Sequence, residues 1–385
     1  MSLTISSRSS QMVQSEIRNM SLECDRVGGI NLSQGICDLE LPLPVRLGAQ
    51  EAMIQGINHY TRYDGLLELR QAIAEKAIKY NHIQANPETN IIVSGGSTGA
   101  FYCACVALLN PGDEVIIFEP YYGYHINTLI AANVIPVYVP LEPSDWSFSI
   151  QDLEKTIGPR TKGVMVNTPA NPCGKVFSQD ELEQIADFAI RHQLFVFTDE
   201  IYEYFVYDGR KHISPGSIPS IADQTITISG YSKTFSITGW RIGYAVCHEK
   251  WAQMIGYVND LFYVCAPAPL QLGVARGINE LPVDFYKALC EQYHVKRNKL
   301  CHALTDIGIK PFVPQGAYYV LADVGHLPGE TSKDKAMYLL QKTGVATVPG
   351  DAFYSENRGQ NLVRFCYAKD DVVIDEACQR LQKLN

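Results

Sequence analysis

From residue 90 onward the chain alternates short apolar, β-branched runs with stretches long enough for a helical crossover. The runs are Asn90–Ser94, Glu114–Phe118, Val134–Val139, Gly163–Val166, Leu194–Thr198 and Thr225–Ile228, each followed closely by Gly, Pro, Asn, Asp or Ser. This alternation predicts an α/β fold: a mostly parallel sheet covered by helices on both faces. Upstream, helical spacing predicts helices over 44–56 and from Leu66 through Lys76. Residues 1–30 read as a polar arm leading into a helix, with Met12, Val13, Ile17 and Met20 on one side. Beyond about residue 280 the texture changes to a long helix over Val283–Leu304, strands around 318–322 and 362–367, and a terminal helix. The division this suggests is an arm over 1–43 that contributes to a small domain, a large domain over 44–279, and the α+β remainder of the small domain over 280–385.

Ligands of parallel sheets bind beyond the carboxyl ends of the strands, so residues just past each run are the candidates for chemistry. After Ser94 comes GGSTGA, where a helix start can hold an anion with its backbone amides, and Ser97 and Thr98 are the side chains in reach. After Phe118 comes EPYYGY, whose aromatics can stack on a flat ring. Asp199 follows the fifth run and Tyr202 lies three residues on. After the sixth run comes SGYSKTFSITGWRIGY, Ser229 to Tyr244, with Lys233 leaving the sheet among small residues. Arg241 instead opens a seventh strand-like run, Ile242–Val246. If Asp199, Lys233 and Arg241 meet at one ligand, that last strand runs antiparallel to the others. An amine able to form an imine and a guanidinium able to fork onto a phosphate are what pyridoxal phosphate needs. Arg364 stands in an apolar strand, and a buried arginine calls for an anionic partner.

Composition narrows the class. The 385 residues are 46% hydrophobic and 19% charged, with a net charge of −9 and pI near 5.5. That balance supports a large core and argues against a nucleic-acid surface. Eleven cysteines lack a framework spacing, and the polar first residues lack an apolar signal core, so reduced thiols in cytoplasm are expected. Cys103 and Cys105 lie in an apolar run too short to span a membrane. They read as buried thiols rather than metal ligands, since no histidine is nearby.

The stretch SKTFSITGWRIG resembles the lysine signature of class I aminotransferases, pyridoxal-phosphate enzymes of fold type I, and further similar blocks follow in the family's order from Asn31 to Leu381. The resemblance implies a seven-stranded sheet and an internal aldimine between Lys233 and pyridoxal 5'-phosphate. Lys233 would then shuttle a proton on the substrate as general base and acid. Asp199 would face the pyridine nitrogen, Asn171 and Tyr202 the phenolic oxygen, Tyr122 the ring, and Ser97, Thr98 and Arg241 the phosphate. Asn171 lies in NTPANPCG, similar to the family's Asn-Pro-Thr-Gly box with Cys173 in place of threonine. Arg364 would hold the substrate α-carboxylate, with Gly35 bringing backbone close to it, although Gly35 also reads as a plain turn glycine. Tyr60 would reach the phosphate of a partner subunit in a homodimer, or else pack on its own subunit. Gly230 departs from the many relatives with serine three residues before the lysine, so Ser229 or Ser232 substitutes or the phosphate loses a ligand.

The implied reaction moves an amino group from an L-amino acid to a 2-oxo acid. Neutral or aromatic substrates are expected over aspartate, because some bacterial aspartate enzymes of this subgroup carry a lysine where Thr98 stands; Arg62 or another basic residue could restore the charge. The alternatives are an aspartate aminotransferase and a carbon–sulfur β-lyase of the same fold. A regulatory domain of this fold is a further alternative, but no DNA-binding module precedes residue 30. Neither nucleic acid nor membrane is expected as a partner.

Overall fold

The computed structural model describes residues 3–12 and 14–384. Its large sheet contains β1 (Ile91–Gly95), β2 (Glu114–Glu119), β3 (Ile135–Pro140), β4 (Thr161–Asn167), β5 (Phe195–Asp199), β6 (Thr225–Gly230) and β7 (Ile242–Val246). The order across the sheet is β1-β7-β6-β5-β4-β2-β3. β7 runs antiparallel to both β1 and β6, and every other pair is parallel. The exception is the strand that the placement of Arg241 singled out.

Successive strand residues face opposite layers, and both layers are buried. Ile116, Phe118, Val164 and Val166 pack on one side against Leu182, Ile185 and Phe188 of the Gln179–His192 helix. Val115, Ile117, Met165 and Phe197 face the other side, against the helices Gly96–Leu108 and Glu249–Tyr263. Cys103 and Cys105 belong to this second layer; burial pushes the Cys103 thiol up to about 12, which suits an inert core thiol.

A second sheet of four antiparallel strands contains β8 (Lys310–Phe312), β9 (Tyr319–Asp323), β10 (Val348–Pro349) and β11 (Leu362–Cys366), in the order β10-β11-β9-β8. The N-terminal arm packs beside it through a separate two-stranded pair. Ile30–Asn31 pairs in parallel with Val345–Ala346, and Met20, Cys24 and Leu32 share one core with Tyr293, Val320 and Phe365. Arg364 sits on β11 between two neighbours and is fully buried.

One local expectation needs correction. The N-terminal helix is two pieces, Ser7–Gln11 and Glu16–Val27. The first buries nothing, Met12 is exposed and non-helical, and Val13 lies outside the described residues. The face that packs is Ile17, Met20 and Cys24, so the apolar spacing that holds a helix begins only at Ile17. The helix expected through Lys76 is present as Leu67–Lys76, and directly after it the chain widens into a π-helical turn, Ala77–Asn81. The wider turn lets Lys76 Nζ and Asn81 Nδ2 both reach the buried carboxylate of Glu203, at 2.5 and 2.8 Å. Ser229 Oγ donates to the same carboxylate at 3.0 Å. The end of β6 is therefore anchored from beneath by a buried ion pair whose carboxylate accepts two further hydrogen bonds.

Candidate active site

The carboxyl ends of β4, β5 and β6, the start of the Gly96–Leu108 helix and the Gly35 segment enclose a cavity of about 440 Å³. Lys233, in the turn after β6, points its amine at the carbonyl of Gly35, 3.0 Å away. Desolvation lowers its pKa below the usual 10.5, and Arg241 adds to the shift, while Asp199 and the thiols of Cys37 and Cys366 oppose it. An amine whose pKa is lowered is more readily freed of its proton, which suits a nucleophile and a proton carrier.

Asp199 ends β5 and is buried. His125 Nε2 lies 2.8 Å from its Oδ2, and the backbone amide of Ile201 donates to Oδ1. The Gly96–Leu108 helix begins directly at the end of β1, so Ser97 and Thr98 on its first turn line the cavity opposite Arg241. Arg241 is not yet in β7: it holds a left-handed conformation, φ 56°, and its guanidinium donates to the carbonyls of Thr238 and Gly95. Two glycines make this corner possible. A Cβ on Gly96, whose φ is 82°, would lie 2.2 Å from Arg241 Nη2, and one on Gly243 would lie 2.2 Å from the amide nitrogen of Ser97. Helix start and guanidinium thus form a cradle for an anion, closed by backbone that no side chain separates.

Gly230 is explained by the same packing. A Cβ there would lie 3.1 Å from Gly243 Cα, so the β6–β7 contact leaves little room. Of the two serines that could replace its hydroxyl, Ser232 lines the cavity, whereas Ser229 turns away to Glu203 and the Glu200 carbonyl.

Asn171, Tyr122 and Tyr202 complete the wall. Tyr122 stacks on Tyr124 with centroids 5.3 Å apart and meets His125 edge-on. Burial pushes the phenols of Tyr122 and Tyr202 well above their ordinary value, so both stay protonated donors. Arg364 reaches the site from β11: it donates to Asn171 Oδ1 at 2.8 Å and to the Ser33 carbonyl at 2.5 Å, while its Nε is buried and unpartnered. Its acceptors are thus neutral, and among the described residues it has no carboxylate partner. A guanidinium so placed has hydrogen-bonding capacity left for an anion.

Gly35 lines the cavity, but its closest approach is to Tyr319, whose hydroxyl would lie 1.9 Å from a Cβ at this position. Tyr60 is 84% exposed and outside the cavity, so it does not pack on its own subunit. The sequence reading missed His125, Asn167 and Tyr319. Asn167 Nδ2 donates to the Asp199 carbonyl at 2.9 Å and its Oδ1 accepts from the Asn171 amide at 2.8 Å. Asn167 immediately follows a strand run, so position alone could have flagged it; His125 and Tyr319 carry no such signal.

Residues 27–381 match the model of the aminotransferase class I and II family. The chain belongs to that family. It is 33% identical to aromatic-amino-acid aminotransferase 2 of Thermococcus litoralis, covering 99% of this chain and 98% of the relative. It is also 33% identical, with the same coverage, to an aspartate aminotransferase of Pyrococcus abyssi, so similarity does not choose the amino acid. The solved structure of N-succinyldiaminopimelate aminotransferase from Mycobacterium tuberculosis superposes with a TM-score of 0.96 at 32% identity, over 99% of this chain and 100% of that one. The chain is an enzyme that transfers amino groups, and its family implies pyridoxal phosphate. No helix among the described residues is long and apolar enough to cross a membrane.

The depressed Lys233 pKa has a consequence for stability. In the cofactor-free protein, folding disfavours the protonated amine, so the penalty is complete below the folded pKa and disappears as pH rises to the unfolded value near 10.5. Lys233→Met should make the cofactor-free protein more stable than wild type at neutral pH, with the gain shrinking toward pH 10.5. Denaturant titrations across that range measure it, and a variant no more stable at neutral pH would refute desolvation as the cause.

Proposed function

We propose that the chain is a pyridoxal 5'-phosphate-dependent aminotransferase in which Lys233 carries the cofactor and moves the substrate proton. The observation that carries this reading is the convergence on one cavity of a desolvated lysine, an aspartate braced by a histidine and an anion cradle at Arg241. The residues fit the cofactor: the cradle suits its phosphate, the carboxylate its ring nitrogen, and the buried phenol of Tyr202 its phenolic oxygen. Bound there, the cofactor supplies an electron sink that weakens the bonds at the substrate Cα.

This chain's residues do the rest. Asp199, held by His125, would keep the cofactor's ring nitrogen protonated. Asn171 and Tyr202 donate to the phenolic oxygen, and Tyr122 packs on the ring. Ser97, Thr98, Ser232 and Arg241 hold the phosphate, with Ser232 taking the place of the hydroxyl absent at Gly230. Arg364 would hold the α-carboxylate beside the Gly35 backbone, leaving Lys233 Nζ to take the proton from Cα and return it.

The exposed Tyr60 supports a homodimer in which it completes the partner's phosphate site. Exposed Ile54, Leu261 and Phe262 offer further apolar surface for such an interface. The domain division at 43/44 and 279/280 and a cytoplasmic location belong to the same reading.

Neutral or aromatic donors are favoured over aspartate. Thr98 offers one neutral hydrogen bond where a lysine would offer a charge-assisted one, a difference of roughly 1–2 kcal/mol, or about tenfold. Arg62 does not supply the missing charge within its own subunit, being tied to Asp64 and Glu88. One observation favours the aspartate reading: Arg18 lines the cavity and has no ion-pair or side-chain hydrogen-bond partner among the described residues.

Borohydride reduction of the cofactor-loaded protein should fix the label on Lys233, and Lys233→Ala should retain cofactor while losing turnover almost completely. A label on another lysine would overturn the assignment. For the donor, kcat/KM with one fixed 2-oxo acid should place phenylalanine, methionine and glutamine ahead of aspartate. Aspartate ahead of all three, with the advantage lost in Arg18→Gln, would establish the Arg18 reading instead.

A further inference from the structure

We propose that Tyr319 is a positioning residue whose hydroxyl donates to the oxygen of Tyr202, committing the Tyr202 proton to the cofactor, while its ring supports the guanidinium of Arg364. This rests on the pyridoxal-phosphate reading above and extends it to a residue that reading does not use.

Tyr319 opens β9, pairs with Cys366 of β11 and is 2% exposed, yet it reaches the wall of the cavity. Its hydroxyl lies 3.0 Å from the hydroxyl of Tyr202, and among the described residues neither has another hydrogen-bond partner. Burial keeps both phenols protonated. Two hydroxyls joined by one bond leave one proton over. If Tyr202 donated to Tyr319, Tyr202 would have no proton for a ligand, and the Tyr319 proton would lack a protein acceptor. With Tyr319 as the donor, the spare proton sits on Tyr202, where the phenolic oxygen of the cofactor can accept it. A hydroxyl that accepts one hydrogen bond also donates the next more strongly.

The position of the Tyr319 hydroxyl is closely fixed. The Gly35 segment approaches so near that only glycine leaves room for it, which gives Gly35 a steric role beside its carbonyl bond to Lys233. The other face of the arrangement is Arg364, whose guanidinium carbon is 4.2 Å from the Tyr319 ring centroid. A planar cation on an aromatic face keeps its fork in one orientation. A single tyrosine thus touches both the group that donates to the phenolic oxygen and the group that receives the substrate carboxylate.

The test is a spectrophotometric titration of the lysine-bound cofactor. A bond donated to the phenolic oxygen stabilises its negative charge and lowers the chromophore's affinity for a proton, so losing that bond raises the pKa. Tyr202→Phe should raise it. Tyr319→Phe, which keeps the ring, should raise it by roughly a tenth to a third as much. The double variant should match Tyr202→Phe alone, because without the Tyr202 hydroxyl Tyr319 has nothing to act through. No shift in Tyr319→Phe, or a shift that persists in full on the Tyr202→Phe background, would overturn the relay. Tyr319→Leu, which removes the ring as well, should also raise the KM for the amino acid; equal KM values in the Phe and Leu variants would overturn the support of Arg364. A wild-type protein that forms no lysine-bound chromophore would instead remove the cofactor reading on which both depend.

Discussion

Holding one amine partly desolvated beside a guanidinium is the constraint on which the rest of this molecule depends. Among the described residues the Lys233 amine has one hydrogen-bond acceptor, the Gly35 carbonyl, and desolvation with Arg241 nearby pulls its pKa down. Such an amine is unfavourable to fold around and must be fixed from several directions. β6 delivers it, the buried Lys76–Glu203 pair anchors β6 through Ser229, and the Gly35 segment of the arm closes over it. Part of the stability supplied elsewhere is thus spent at this site, as expected where a reactive group is made ready before substrate arrives.

The second requirement is that three elements of different direction meet within a few ångströms. β5 and β6 end at the cavity while β7 starts there, and only an antiparallel β7 satisfies this. Close backbone contact then follows at Gly230, Gly243 and Gly96, where added Cβ atoms would meet backbone or the Arg241 guanidinium. The glycines fix how near the anion cradle stands to the lysine.

Much of this was legible in the chain. The strand runs could be read because both faces of the sheet are buried and each run is bounded by residues that break it. The antiparallel strand could be read from Arg241 preceding its run while Asp199 and Lys233 follow theirs. The residues that act through another residue were not legible. His125 and Tyr319 carry no spacing signal, since what matters is the 2.8 Å to Asp199 and the 3.0 Å to Tyr202 that only the packed layers create. The choice between Ser229 and Ser232 was equally hidden: Ser229 still belongs to β6, whose alternation turns it toward Glu203. The π turn after Lys76 depends on a carboxylate more than a hundred residues away, beyond the reach of local periodicity.

The central claim is that the site transfers an amino group rather than releasing it. The most direct measurement is the reaction of the cofactor-loaded protein with an amino acid that carries a leaving group at Cβ, such as a cysteine conjugate, in the absence of any 2-oxo acid. Amino transfer predicts one equivalent of 2-oxo acid per chain, no free ammonia, and a halt until an acceptor 2-oxo acid is added. Continued turnover with release of ammonia in the absence of an acceptor, as an elimination at Cβ would give, would contradict it.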